Sequence, residues 1–310
     1  MDYVRLGQSG LRVSRLCLGM MSFGSKAVRP WVMEEEDGKP LFRLAVEQGI
    51  NFFDTADTYS NGVSEEITGR YVREFFPDRE DAVVATKCYL GTHDWRTNRF
   101  GLSRKHIMAA CDASLQRLGL DYIDLYQIHR FDQTVPMEET LDALNDLVRA
   151  GKVRYLGASS MMSWQFVKSL YLAQKHGWAR FISMQNHYNL VYREEEREML
   201  PLCQQEGIGV IPWSPLARGY LTRPPEQFEA SERSQSDGLK SAFYQREKDD
   251  PVVQRNCDIA SQLAVKPAQV ALAWVLQNPV VTAPIIGASK LAHLEDALQA
   301  LEITLDEEQV

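Results

Sequence analysis

The sequence predicts an α/β fold: a (β/α)8 TIM barrel with an N-terminal β-hairpin and an extended loop and helix insertion between strands seven and eight. Three observations predict it. Short apolar or β-branched runs at 15–19, 50–53, 82–86, 123–128, 153–158, 180–184, 208–212 and 282–286 alternate with segments of helical period. Six of the seven intervals between these eight runs are roughly 26 to 41 residues, enough for a parallel crossover through a helix. Chemistry-bearing side chains sit at the ends of three consecutive runs, the face where such barrels hold their active sites. An open doubly wound sheet would usually carry G-x-G-x-x-G after its first strand, and no such turn follows residues 15–19.

The elements follow in order. Residues 3–14 read as a hairpin turning at Gln8-Ser9-Gly10, placed to plug the barrel's bottom. Ser103 is a helix N-cap; Ile107, Ala110, Cys111, Ser114, Leu115 and Leu118 recur at steps of three and four, and Gly119 ends the segment. Pro136 opens the next helix, with Met137, Leu141, Leu144 and Leu147 on one face and Gly151 beyond it. Phe166, Val167, Leu170 and Tyr171 give another apolar face. Residues 223–250 are polar and include Pro224-Pro225, the pattern of a flexible loop. Helical patterns at 252–264 and 267–277 follow, the second opened by Pro267. No linker divides the chain, so residues 1–310 are expected to form one domain, with no large apolar stripe left once the core faces are assigned.

Composition narrows the function. With 310 residues and 45% apolar content, the chain can build a large core. A net charge of −8 argues against nucleic acid or a membrane surface as partner. Five scattered cysteines with no CxxC pair suggest neither disulfides nor zinc and fit reduced thiols in a cytoplasmic protein. No signal peptide is visible, and no apolar run approaches the roughly 20 residues of a membrane span. The six histidines form no cluster with carboxylates at several strand ends, so no metal is expected.

The strand ends carry the chemistry. Asp54 closes the second run and Tyr59 follows it; Lys87 closes the third and His129 the fourth. A phenol of pKa about 10 is a poor acid at neutral pH, and a neighbouring ammonium favours its ionised form. A carboxylate beside that ammonium holds it in place. A neutral imidazole on the next strand could orient a carbonyl oxygen. Such a set polarises and protonates a C=O. Hydride must come from elsewhere, which requires a nicotinamide cofactor.

At these residues the chain resembles the aldo-keto reductases, over nearly its whole length. The segments are NFFDTADTYSNGVSEEITGR (51–70), ATKCYL (85–90), LDYIDLYQIHR (120–130), VRYLGASS (153–160), SMQNHYNL (183–190), IPWSPLARGYL (211–221) and PIIGASKLAHLEDAL (284–298). The W-S-P-L-A-R-G segment is most similar to the bacterial branch related to potassium-channel β subunits. The resemblance implies a barrel binding NADP(H) across its mouth, with Asp54, Tyr59, Lys87 and His129 as catalytic tetrad and Tyr59 as general acid. It implies that Ser159, Ser160 and Gln185 hold the nicotinamide carboxamide, although the family usually has Asn where Ser160 stands. Trp213 would stack on the ring. Ser214, Pro215, Leu216, Arg218 and Gly219 would follow the pyrophosphate, with Gly287, Ser289 and Lys290 near the 2′-phosphate and Glu295 and Asp296 near the adenine.

From their strand-end positions, Met20, Met21, Tyr89, Trp95, Arg130 and Tyr188 are expected to rim the substrate pocket. Arg130 would favour anionic substrates if it faces that pocket. The expected partner is a small carbonyl compound: an aromatic or aliphatic aldehyde, with aldose sugars in range. The alternative is a nucleotide-sensing module with weak reductase activity, like the channel β subunits.

Overall fold

The computed structural model describes residues 1–92, 97–230 and 243–310. Strands β1 (Tyr3–Arg5) and β2 (Arg12–Ser14) pair antiparallel as a hairpin. The remaining strands are β3 (Cys17–Gly19), β4 (Phe52–Asp54), β5 (Val83–Cys88), β6 (Ile123–Ile128), β7 (Val153–Ser159), β8 (Phe181–Gln185), β9 (Gly209–Val210) and β10 (Ile285–Ile286). They form one parallel sheet in the order β10-β3-β4-β5-β6-β7-β8-β9. A parallel bridge between Val210 and Val281, with Thr282 N–H donating to Val210 O at 2.8 Å and Ile285 N–H to Pro212 O at 2.9 Å, joins the two ends of the sheet. The predicted barrel is therefore the observed architecture. β9 and β10 are shorter than the five-residue runs at 208–212 and 282–286 because Pro212 and Pro284 have no N–H to give to a ladder.

The helices are α1 (Glu35–Glu47), α2 (Val63–Phe75), α3 (Arg104–Leu118), α4 (Met137–Arg149), α5 (Ser163–His176), α6 (Met199–Glu206), α7 (Arg246–Gln262), α8 (Pro267–Gln277) and α9 (Leu291–Gln299). Ser103 Oγ accepts from His106 N–H and caps α3, and Gly119 stops it in a left-handed conformation (φ 61°). α7 starts six residues earlier than the pattern at 252 suggests, with Pro251 inside it, and a 3-10 turn covers Pro225–Ala230. Part of the expected 223–250 loop is thus ordered; residues 231–242 lie outside the described residues.

The hairpin plugs the barrel. Leu6 and Val13 are fully buried and pack with Cys17, Phe52, Val83, Ala85, Leu125, Ile211, Ala283 and Ile285 inside the ring of strands. A larger apolar layer lies between the strands and the helices. Burial on both faces explains why the strands read as apolar runs rather than as alternating patterns. Arg15, just past the hairpin, donates to the carbonyls of Leu276, Val281 and Thr282 at 2.7–2.8 Å and ties the first strand to the last crossover.

One predicted helix face is corrected. On α5, Phe166 and Leu170 are buried, but Val167 and Tyr171 are 41% and 63% exposed, beside Trp164 at 57%. An apolar stripe therefore remains on the surface, contrary to the sequence reading, because the buried face of α5 is completed by Gln165, Ser169, Leu172 and Ala173. No single helix among the described residues is long and apolar enough to cross a membrane; α7 and α8 would pass only as a pair, and they are bent by 101°. The apolar residues of α8 are buried against the barrel.

α2 and α3 approach closely at Gly69, where an added Cβ would lie 1.7 Å from the Leu118 carbonyl oxygen. Backbone cannot yield as a flexible side chain does. Gly69→Ala is expected to lower stability by about 1–3 kcal/mol, read as a lower urea midpoint at unchanged slope.

Candidate active site

Four strands converge on one buried cation. Lys87, near the end of β5, is fully buried. Its Nζ donates to Asp54 Oδ1 at 2.5 Å, to the Thr55 carbonyl at 2.8 Å and to the Tyr59 phenol oxygen at 3.2 Å. Burial acts to lower the Lys87 pKa, but the attraction of Asp54, followed by that of Tyr59, outweighs it and holds the ammonium above its ordinary value. Asp54 closes β4, and its second oxygen accepts from Gln127 Nε2 of β6 and Gln185 Nε2 of β8, both at 2.9 Å. Gln185 Nε2 also reaches Gln127 Oε1 at 3.2 Å. The carboxylate is therefore saturated and fixed.

Tyr59 opens the turn after β4 and is only partly buried. His129, one residue beyond β6, stands edge-on to its ring at 5.9 Å between centroids. Burial, then Lys87 and Arg130, push the His129 pKa well below its ordinary value, so the imidazole is neutral. Both side chains line a cavity of about 800 Å3 at the C-terminal ends of the strands, within the usual size range of ligand sites.

The cavity continues past Ser159, Gln185, Trp213, Ser214, Pro215, Leu216, Arg218 and Gly219 to Gly287, Ser289 and Asp296. Trp213 is held on one face by His187, with rings 4.1 Å apart and 7° from parallel, and His187 stacks in turn on Tyr192. Burial, with Arg218 second, pushes His187 down to about 3, so this middle plate is uncharged. The indole N–H donates to Ser160 Oγ at 3.1 Å. Ser160 itself is left-handed (φ 48°) and does not line the cavity; its hydroxyl orients the tryptophan. Ser214, Ala217 and Arg218 have positive φ (53°, 48° and 56°), and Gly219 follows at 95°. The turn closes on itself, with the Ala217 N–H donating to the Ser214 carbonyl and the Gly219 N–H to the Leu216 carbonyl, both at 2.9 Å.

Several expected positions fall elsewhere. Met20 is fully buried in the core, because the chain turns as a 3-10 helix over Met20–Ser22, and Met21 lines the cavity. Tyr89 packs on Phe100, and Leu90 takes the cavity position. Tyr188 is a core residue, bonded through its hydroxyl to Glu196 and Asn278 and packed on Trp274. Lys290 and Glu295 are exposed and do not line the cavity. Trp95 lies outside the described residues. Sequence reasoning missed Arg29, Trp31, Arg223, Lys266 and His293 on the cavity, and Gln127 behind Asp54. None carries a local signal: Arg29 and Trp31 come from an irregular loop, and Gln127 sits within an apolar run.

Behind the cation lies a second buried acid cluster. Glu65 accepts from Thr86 Oγ1 and Arg117 Nε, each at 2.6 Å. Burial, with Glu65 second, pushes the nearby Asp57 carboxyl up to about 7, against the smaller opposing effects of Arg117 and the Thr58 and Gly91 amides. The folded pKa exceeds the unfolded one, so folding takes up a proton between about pH 4 and 7 and stability falls across that window. Asp57→Asn should remove this loss: its stability advantage over wild type should grow by about 2–4 kcal/mol from pH 4 to 7 and then level off, as urea midpoints would register.

Among the described residues no group of three His, Cys, Asp or Glu side chains could hold a metal, and all five cysteines are buried and free. A sequence profile of the aldo/keto reductase family matches residues 15–310. An aldo-keto reductase of Fusarium vanettenii is 46% identical over 99% of this chain and 89% of its own length. The versiconal hemiacetal acetate reductase of Aspergillus parasiticus is 42% identical over 100% of this chain and 95% of its own. A Schizosaccharomyces pombe protein bearing an aryl-alcohol dehydrogenase name is 44% identical over 99% and 93%. With so much of its length matched on both counts, the chain belongs to the aldo/keto reductase family.

Proposed function

We propose that this protein is an NADP(H)-dependent reductase of aldehydes, with Tyr59 as the acid that protonates the carbonyl oxygen. The observation that carries the reading is the Lys87 ammonium, wedged between Asp54 and the phenol oxygen of Tyr59 at the wall of a large cavity. When the phenol gives up its proton, the cation 3.2 Å away stabilises the charge left behind. Neutral His129, on the same cavity, supplies a second polar group for the substrate oxygen and sets its direction. Asp54 keeps the ammonium charged and pinned rather than acting on substrate.

The fit of a nicotinamide dinucleotide rests on three features. Trp213 offers a flat face backed by His187. The tight turn over residues 214–219 lines the cavity with Ser214, Pro215, Leu216, Arg218 and Gly219 and bends where a Cβ-free or left-handed backbone is needed. Arg218, Arg223 and Lys266, with Ser289 and His293, give the cavity positive charge and hydroxyl groups that suit phosphates, including a 2′-phosphate. Bound there, the cofactor supplies hydride. Ser159 and Gln185 are the side chains placed for the carboxamide: Ser159 Oγ donates to the Gln185 carbonyl at 2.9 Å, so the two are held together.

The names of the relatives support carbonyl and alcohol chemistry, the aryl-alcohol name in particular favouring aromatic aldehydes. Those relatives are fungal, so kinship with the bacterial, channel-β-related branch rests on the Trp213–Gly219 segment alone, and the nucleotide-sensor alternative rests there too.

The test is loss of NADPH absorbance with 4-nitrobenzaldehyde. Wild type is expected to turn over, with higher kcat/KM for NADPH than for NADH. Tyr59→Phe should lower kcat by about 10²–10⁴ while NADPH still binds. Tight NADPH binding without turnover in wild type would favour the sensor instead.

A further inference from the structure

We infer that the preferred substrates carry a carboxylate beside their aldehyde, recognised by Arg130 with Arg29; this rests on the reductase reading above. Arg130 follows His129 directly, lines the same cavity and donates to the His129 carbonyl at 2.7 Å. That is its one protein acceptor among the described residues. Its guanidinium is half-buried on the cavity wall, and no carboxylate among the described residues pairs with it; burial first, then the phenols of Tyr59 and Tyr89, act on its charge. A guanidinium taken out of water without an anion is costly. Other withdrawn arginines are met by acceptors: Arg79 is paired with Asp124 and Arg117 with Glu65, and Arg15 donates to three backbone carbonyls. Arg130 is left with unused donors at the reacting end of the cavity.

Arg29 is the second cation. It lies on the same cavity, its guanidinium carbon 5.7 Å from the centre of the Trp31 ring, and pairs with no carboxylate among the described residues. Among the described residues the only acids that line the cavity are already engaged: Asp54 by Lys87 and the two glutamines, Asp296 by Lys266 at 2.7 Å. Among these residues an incoming carboxylate therefore meets two cations without carboxylate partners and no free negative charge. Met21, Leu90 and Trp31 add apolar and aromatic wall for the body that joins the two functional groups. The chemistry that fits is a formylbenzoate or a short semialdehyde acid, and a guanidinium fork matches a carboxylate better than any neutral polar group.

The experiment compares 4-formylbenzoate with its methyl ester, which keeps the ring and the aldehyde and removes the charge. Wild type is expected to favour the acid by at least about 10-fold in kcat/KM, chiefly through KM, the size of one charge-assisted hydrogen-bond pair. Arg130→Met should bring the acid-to-ester ratio near one, Arg130→Lys should keep part of it, and Arg29→Met should lower it. Benzoate, but not benzamide, should raise the thermal midpoint of the NADPH-loaded enzyme. Turnover of both aldehydes with no acid preference in wild type would overturn this inference and leave the reductase reading standing. Turnover of neither would sink the reductase reading, and benzoate stabilisation would then decide for the anion site or, by its absence, against it. If Arg130→Met does not fold, the wild-type ratio and Arg29→Met still decide.

Discussion

An ammonium in the middle of a barrel needs an answer for its lost water. Taking it out of solvent costs several kcal/mol, and Lys87 has no exposed surface at all. The answer is supplied by Asp54, the Thr55 carbonyl and the Tyr59 hydroxyl, and behind Asp54 by Gln127 and Gln185. These groups come from β4, the turn after it, β6 and β8, and Lys87 itself from β5, so the barrel must close in one register for all of them to meet. Stability and chemistry are coupled at this point. The same bonds that make the buried charge tolerable also place it 3.2 Å from a phenol that faces the cavity.

Much of this arrangement was legible in the sequence. Parallel strands buried on both faces write themselves as apolar runs, and all eight were found. Ser103 and Gly119 marked the ends of α3 through capping chemistry that needs no tertiary contact. Asp54, Tyr59, Lys87 and His129 were legible because their polar side chains interrupt or end apolar runs. What failed was the choice between neighbours at strand ends. Met20 against Met21 and Tyr89 against Leu90 differ by one residue, and a single step or one 3-10 turn exchanges the inward and outward positions. Tyr188 failed for another reason. Its hydroxyl found buried partners in Glu196 and Asn278, which lie 8 and 90 residues away in sequence. The exposed stripe on α5 shows the converse: helical periodicity locates an apolar face without saying whether the fold covers it.

The Trp213 side of the cavity is organised by aromatic stacking. Trp213, His187 and Tyr192 form a pile of three rings, and Tyr244 fixes the middle one through a 2.9 Å contact between its hydroxyl and His187 Nε2. Since Tyr244 lies just before α7, the last crossover reaches back to set the orientation of a side chain on the seventh barrel strand's end. The left-handed residues at 214, 217 and 218 add local strain, on the order of 1 kcal/mol each, which the surrounding packing must hold.

The hairpin makes the barrel a vessel with a sealed floor. Leu6 and Val13 fill it from below, and Asp54 and Lys87 are shut off from bulk solvent. Of the three groups in the chain Asp54–Lys87–Tyr59, Lys87 is fully buried and Asp54 touches the cavity with 2% of its surface, so the partly exposed phenol is the main opening to the mouth. A proton spent by Tyr59 therefore has no back door for its return. Replenishment must come through the same opening that admits the ligands, so each cycle of the proposed reaction ends only when departing alcohol lets water reach the phenol again.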